Sequence, residues 1–240
     1  MITKLAELVE MAQSKRKRKI AVAAAGDYDV LEALKNADDH NIVEPVLVGE
    51  KSKIEKICTE IGYDISRYSI FDVEDKFEAS LKASQLIREG KADLLMKGLV
   101  STGQLLKAVL NKEYGLRKGD IISHVAIFES PYYHKLLGIT DAAMNVAPNF
   151  EEKIALINNA VEVFHLLGEK NPRVAVVGAV ETVNQRMEST MHAATLSMMN
   201  KRQQIRGCII DGPLALDNAV SKKAAEIKNI QSEVAGNVDI

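Results

Sequence analysis

Two carboxylates stand close together in the run Ile209-Ile210-Asp211-Gly212-Pro213-Leu214-Ala215-Leu216-Asp217-Asn218-Ala219-Val220-Ser221. Cys208 to Ile210 has the apolarity of a short buried strand. Asp-Gly-Pro then reads as its stop, since glycine permits a tight turn and proline offers no amide to a ladder. Asp217 and Asn218 open a helical stretch that reaches about Lys228. Carboxylates between a strand end and a helix either cap the helix or face ligands at the carboxyl edge of a parallel sheet. Asp211 and Asp217 are therefore the candidate catalytic carboxylates.

Three other loops carry polar groups in the same kind of place. The apolar run Ala92 to Met96 ends at Lys97-Gly98, and Ser101-Thr102 leads into a helix through about Leu110. A cation, a glycine and the free amides of a helix start suit a phosphate. The spacing is not that of a Walker loop, and Ser101 with Gln104 fits a capping box. Lys97, Gly98, Ser101 and Thr102 form the candidate phosphate-binding group. Asp141 follows a strand read over Lys135 to Thr140. Glu181 and Asn184 follow one read over Val174 to Val177. These three complete the candidate substrate-binding set. No strand is followed by Gly-x-Gly-x-x-Gly or by a serine nucleophile elbow.

The elements that must position these loops alternate. Apolar strand-length runs at Ile20–Ala25, Pro45–Val48, Tyr68–Phe71 and Ala92–Met96 are separated by helical patterns such as Ile54–Ile61 and Phe77–Arg88. A repeat of roughly 25–30 residues is the mark of βαβ units and a parallel sheet. Further strands are expected over Ile121–Phe128, with His124 as a packing residue, and over Lys135–Thr140. Ser130-Pro131-Tyr132-Tyr133 interrupts the pattern, so a first α/β domain over 1–133 and a second over 134–240 are expected. Phe150–Leu167 is the longest helical pattern. Met187, Met191 and Met198 fall at helical spacing and read as core filler. An amphipathic helix is expected from Ile2 to about Ser14, with Lys15-Arg16-Lys17-Arg18-Lys19 as its solvated end.

Composition narrows the function classes. The 240 residues are 47% hydrophobic with a formal net charge of −2, enough for a sizeable core and poorly suited to a dedicated nucleic-acid binder. There is no Trp and only 5% aromatic residues, so a base-stacking platform is disfavoured. Cys58 and Cys208 have neither zinc-site nor disulfide-framework spacing, and the five histidines have no ligand-like spacing. No metal is expected. No apolar signal segment and no membrane-length run is present, which reads as a cytoplasmic protein without membrane or nucleic-acid partners.

Met96-Lys97-Gly98 with Ser101-Thr102, Thr140-Asp141-Ala142-Ala143-Met144-Asn145, the long run from Asp211 to Ser221, and Val234-Ala235-Gly236 occur in this order. Together they closely resemble the phosphate acetyl/butyryl transferase family, its butyryl branch most, from Ile20 to the end. The resemblance implies two α/β lobes with parallel or mixed sheets and flanking helices, of the isocitrate/isopropylmalate dehydrogenase-like kind, with the active site in the cleft between them. It implies reversible transfer of a short acyl group between coenzyme A and inorganic phosphate. Coenzyme A and acyl-CoA would be substrates, with no permanently bound cofactor, in a homo-oligomer.

Two departures qualify that resemblance. Members of the family continue for roughly another 60 residues, a usual increment for an α/β domain, and that continuation carries a Ser-Arg pair and an Asp tied to catalysis. The second lobe is therefore expected to be truncated, the chain to turn over substrate poorly, and Asp211 and Asp217 to shape the site. Val234 to Ile240 reads as a turn into a strand that has barely begun, between neighbours that offer it apolar surface. The second departure is Gln185-Arg186, where the butyryl branch has Pro-Lys. The alternatives within and beyond the class are another acyl-phosphate enzyme and a non-catalytic coenzyme A or phosphate binder.

Overall fold

The computed structural model describes residues 2–119 and 121–240. The chain divides into two compact units, Val9–Asp120 and Met1–Leu8 with Ile121–Ile240. The stretch 121–133, expected from the sequence in the first domain, belongs instead with the later residues.

The unit Val9–Asp120 is a parallel sheet covered on both faces. β1 (Arg18–Ala23), β2 (Val43–Gly49), β3 (Ser69–Asp72) and β4 (Leu94–Lys97) are ordered β3-β2-β1-β4, and every pairing is parallel. Alternate residues of a strand face opposite ways. Val22 and Leu47 pack with Leu31 and Leu34 of α2 (Tyr28–Asp39) and with Ile54 and Cys58 of α3 (Lys51–Glu60). Ala21, Ala23, Val46 and Val48 pack with Ala79, Ala83 and Leu86 of α4 (Lys76–Arg88). The small β1 alanines let α4 lie close. α5 (Thr102–Val109) follows β4, and α1 (Leu5–Gln13) precedes β1. The basic run is not a free helix end. Arg18 and Lys19 open β1, and Lys17, Arg18 and Lys19 pair with Asp38, Asp93 and Glu44.

The later residues form shorter pieces. β5 (Ala126–Phe128) pairs antiparallel with β6 (Leu137–Ile139), and β7 (Arg173–Val177) pairs parallel with β8 (Ile209–Leu214). α6 (Phe150–Leu166) and α7 (Glu188–Lys201) contribute Ile157, Ala160, Val161, Phe164 and Leu196 to a core with Val174, Ile205 and Ile210. α8 (Leu216–Val220) and α9 (Lys222–Ile227) follow β8, and Ala219 joins Leu214, Val234 and Val238 in a second cluster.

Four expectations are corrected here. The strand over Ile121–Phe128 is reduced to its last three residues. The His124 amide donates to Asp141 Oδ2 at 3.0 Å and Asn145 Nδ2 donates to the Ile122 carbonyl at 2.9 Å, so side chains take the groups a ladder would use. β8 does not stop at Asp-Gly-Pro but runs through it to Leu214. Pro213 lacks a donor, which is tolerated because β8 pairs only with β7 among the described residues. The helix after it is split at Ser221, whose hydroxyl oxygen caps α9 by accepting from the Ala224 amide at 3.2 Å. Finally, Met191 and Met198 are exposed rather than core filler. The buried face of α7 is Thr190, Ala193, Leu196, Ser197 and Asn200.

The closing residues are paired, as an incipient strand requires. The Gly138 amide donates to the Asp239 carbonyl at 2.7 Å, on the β6 side. On the β7 side, the Asp239 and Ile240 amides donate to the Arg173 carbonyl at 2.8 and 3.0 Å, and the Ala175 amide donates to the Ile240 carbonyl at 2.8 Å. Lys135 Nζ lies 2.6 Å from Asp239 Oδ1 in a buried ion pair, and Asp239 Oδ2 accepts from the Arg173 amide at 2.7 Å.

Candidate functional site

The phosphate-binding candidates sit where β4 meets α5. The chain leaves β4 against the end of β1: the Gly98 and Leu99 amides donate to the Ala23 and Ala24 carbonyls at 2.8 and 2.9 Å. A Cβ on Gly98 would lie 2.3 Å from the Ala24 oxygen, so only glycine passes here. Lys97 is exposed, and its ammonium donates to the Gly98 and Val100 carbonyls at 3.3 and 3.1 Å. That folds the cation over its own loop, on the side of the α5 start. Ser101 is the N-cap and accepts from the Gln104 amide at 3.2 Å. The expected capping box closes only half-way, because Ser101 Oγ donates to Gln104 Oε1 at 3.0 Å instead of the Gln104 side chain taking the Ser101 amide. Ser101 and Thr102 are both exposed, leaving the first amides of α5 open to an anion.

Asp141, after β6, is fully engaged. Its carboxylate accepts from the Ala143 and Met144 amides at 2.8 Å each, from the His124 amide at 3.0 Å and from Asn145 Nδ2 at 2.6 Å. Burial pushes its pKa up, but these hydrogen bonds outweigh it and hold the carboxyl well below the usual range. Such a group is a hub that shapes a loop, not a proton acceptor near neutrality.

The loops after β7 and β8 are joined by Lys228, which is absent from the candidates read in the sequence. Lys228 bonds to Glu181 Oε1 and lies 3.0 Å from Asp217 Oδ2. Asn218, fully buried, donates to the same Glu181 oxygen at 2.9 Å. Glu181, Asp217, Asn218 and Lys228 thus form one cluster. The hydrogen bond from Lys228 is the largest cause of the lowered pKa of both Glu181 and Asp217, and Glu181 is the largest cause of the raised pKa of Lys228. No periodicity in the sequence ties Lys228 to Glu181, 47 positions earlier; only the fold makes the pair. Gly236 closes the same region. Its amide donates to the Asn218 and Ala219 carbonyls at 3.0 and 2.8 Å, with φ at +73°, a left-handed conformation that favours glycine.

Asp211 and Asn184 stand apart from that cluster in what they bond. Asp211 lies within β8, opposite Ala175, and accepts from the Gly212 amide at 2.9 Å. Asn184 forms a local turn: its Oδ1 accepts from the Arg186 amide at 3.0 Å, and Thr190 Oγ1 accepts from its amide at 2.9 Å and donates to its carbonyl at 3.0 Å. Both thiols are buried, and burial pushes each up to about 11, so neither is a nucleophile near neutrality. Among the described residues no group of His, Cys, Asp and Glu could hold a metal ion, and no helix is long and apolar enough to cross a membrane.

The chain matches the family described as phosphate acetyl/butaryl transferase over residues 4–81 and 74–240. It is 49% identical to the phosphate butyryltransferase of Clostridium beijerinckii, over 98% of this chain and 78% of that protein. It is 45% identical to the phosphate acetyltransferase of Thermotoga maritima, over 98% of this chain and 80% of that protein. The fold superposes on a branched-chain phosphotransacylase from Enterococcus faecalis with a TM-score of 0.79 and 28% identity, covering 93% of this chain and 78% of that one. The α/β architecture with parallel sheets and flanking helices is thus shared across nearly the whole chain, and the protein belongs to the phosphate acetyl/butaryl transferase family.

Proposed function

We propose that this chain transfers a short acyl group, butyryl first, reversibly between coenzyme A and inorganic phosphate. The observation that carries the reading is the 49% identity with a phosphate butyryltransferase over 98% of the chain. The chemistry is direct. The coenzyme A thiolate attacks the acyl-phosphate carbonyl, the C–S bond forms, and the C–O bond to phosphate breaks. Phosphorolysis of the thioester is the reverse. Three provisions are needed: an anion site, donors for the developing oxyanion, and a base for the thiol.

The exposed start of α5, with Lys97, Gly98, Ser101 and Thr102, supports an assignment as the anion site, since amides and one cation converge there. Asp141, Glu181 and Asn184 are assigned to positioning substrate, each through a loop it holds by hydrogen bonds. Asp211 and Asp217 shape the site. Lys228 keeps Asp217 ionised and weakly basic, which favours shaping over proton abstraction for that residue. The working form in this reading is a cytoplasmic homo-oligomer that takes acyl-CoA, phosphate and acyl phosphate as substrates.

Phosphate-dependent release of free thiol from butyryl-CoA and from acetyl-CoA tests the reading. Turnover faster with butyryl-CoA supports it. Faster turnover with acetyl-CoA moves the chain to the acetyl branch. Calorimetric binding of coenzyme A without turnover selects the non-catalytic binder, and neither binding nor turnover removes both readings.

A further inference from the structure

The loop from the end of β7 to the start of α7 carries two of the candidate substrate residues, Glu181 and Asn184. Val183, between the two, is exposed, so apolar packing does not fix the tip of the loop. Met187, the N-cap of α7, makes no side-chain cap bond. Each candidate is held instead by a side chain from outside the loop.

The first pin is Lys228. Glu181 Oε1 accepts from Lys228 Nζ, at the C-cap of α9, and from Asn218 Nδ2 of α8 at 2.9 Å. Asn218 is fully buried, so moving Glu181 away would orphan a buried amide. Lys228 Nζ also lies 3.0 Å from Asp217 Oδ2. One ammonium is thus shared between two carboxylates that would otherwise repel each other, and its removal frees Glu181 to turn toward solvent. The second pin is Thr190, fully buried on α7. Its hydroxyl accepts from the Asn184 amide at 2.9 Å and donates to the Asn184 carbonyl at 3.0 Å. β-branching narrows the rotamers of Thr190, so the backbone is fixed at Asn184 itself.

We propose that Lys228 and Thr190 are positioning residues, which fix Glu181 and Asn184 in the loop after β7 before coenzyme A binds. The inference rests on the reading of this loop as a substrate contact in the proposed function. The loop starts at the carboxyl edge of parallel strands, the side on which α/β sheets take ligands. A site on a loop is less precise than one on a helix or strand unless surrounding hydrogen bonds lock its side chains. Here a helix supplies each lock, α9 through Lys228 and α7 through Thr190. A loop held in advance spares the binding step the ordering of its side chains. With Glu181 and Asp217 against one ammonium the cluster is net negative, so Lys228 acts through Glu181 and not as a phosphate ligand.

The test compares the intact chain with Lys228→Met, Lys228→Arg, Thr190→Val and Thr190→Ser. Hydrogen exchange is followed by NMR at the Asn218 side-chain amide and the Asn184 backbone amide. The Ile210 amide of β8, bonded to Asn200 Oδ1, is the reference, and coenzyme A affinity is read by calorimetry. Exchange should accelerate at least about tenfold at Asn218 in Lys228→Met and at Asn184 in Thr190→Val, with Ile210 unchanged, and coenzyme A should bind at least about tenfold more weakly in both. Lys228→Arg and Thr190→Ser keep the donors and should restore both readouts to within about threefold. Acceleration that reaches Ile210 equally, or that the conservative variants do not repair, marks general destabilisation and overturns the proposal. So does unchanged exchange, or an unchanged affinity in variants whose loop has loosened. A parent chain that binds no coenzyme A overturns the substrate reading of the loop itself, and the positioning role falls with it.

Discussion

Six residues of β1 pair in register with β2, and four of the same residues pair with β4. β5 and β6 share only three pairs, and the β7–β8 register shifts between Ala175 and Val177. In the unit Val9–Asp120 the backbone ladder and alternating side chains account for the sheet. In the unit that contains Ile121–Ile240, polar side chains perform much of the ladder's work. Asp141 holds the ends of two segments, Asn200 ties α7 to β8, and Lys135 with Asp239 fixes the closing residues. Stability in the first unit is spread over many small apolar contacts. The second has apolar clusters of its own but buries more polar side chains, Lys135, Thr190, Ser197, Asn200, Asn218 and Asp239, so substitutions at those groups should act differently from substitutions in the first sheet.

The largest effect should come from Lys135→Met. It leaves the Asp239 carboxylate buried without its cation, a loss of about 3–5 kcal/mol for a broken buried pair. Hydrogen exchange should accelerate across 121–240 while β1–β4 keep their protection. Asp239→Leu added to Lys135→Met should recover part of the loss, since two apolar groups replace both charges. Unfolding that stays unchanged in the single variant would mean that the pair contributes nothing and that the contrast between the units fails.

Asn200→Ala comes next. Asn200 Nδ2 donates to the Ile205 and Cys208 carbonyls at 3.0 and 2.9 Å, and its Oδ1 accepts from the Ile210 amide at 3.0 Å. Truncation orphans three buried backbone groups, at a cost of about 2–3 kcal/mol. Urea denaturation should show a lower midpoint with an unchanged slope. A loss below the cost of one surface residue would show that water replaces the amide.

This contrast also explains what could be read from the sequence. The strands of the first sheet are continuous apolar runs, and their local pattern suffices, because a parallel sheet covered on both faces needs nothing else. Ile121–Phe128 has a similar pattern, yet its first residues give their backbone groups to Asp141 and Asn145, partners that lie beyond the next strand. Asp-Gly-Pro has the composition of a turn and lies in an edge strand. Lys97 ends β4, Ser101 and Thr102 open α5, and Asp141 and Glu181 lie in the loops after β6 and β7. Lys228 is not legible in the sequence, because its role depends on two carboxylates from different loops, and distance along the chain hides it.

Acid should separate the units less sharply. Asp141 has a folded pKa held below its unfolded value of about 3.9, so its contribution is present above about pH 4 and is lost as the pH falls further. Asp141→Asn replaces an acceptor of four hydrogen bonds by an amide whose nitrogen meets N–H donors. The variant should lose about 1–2 kcal/mol at pH 7, and the gap to the parent should narrow below about pH 4 in acid titrations followed by circular dichroism. Asp38, in the other unit, also has a lowered pKa. Burial pushes it up, and hydrogen bonds from Lys17, Tyr68 and Tyr63 more than offset that. Part of the acid loss should therefore appear in β1–β4 as well. A gap that is constant down to about pH 2 would show that Asp141 is not the group being protonated.

The smallest effect is expected where the first unit uses a polar side chain of its own, at the start of α5. Ser101→Ala removes a cap hydrogen bond of 3.2 Å from a helix of eight residues, at a cost of about 1 kcal/mol. If that start is also the anion site, structure and binding can be pulled apart there. Ser101→Asp keeps an acceptor at the N-cap, and its negative charge suits the helix dipole, so stability should be retained or slightly raised. The same charge repels an incoming phosphate and occupies the amides it would use. Calorimetry should therefore show phosphate binding weakened in Ser101→Asp although its melting temperature holds, whereas Ser101→Ala should lose stability and keep more of its phosphate affinity. Loss of affinity in step with loss of stability would make the α5 start a structural cap only. The anion site would then have to be sought away from Lys97.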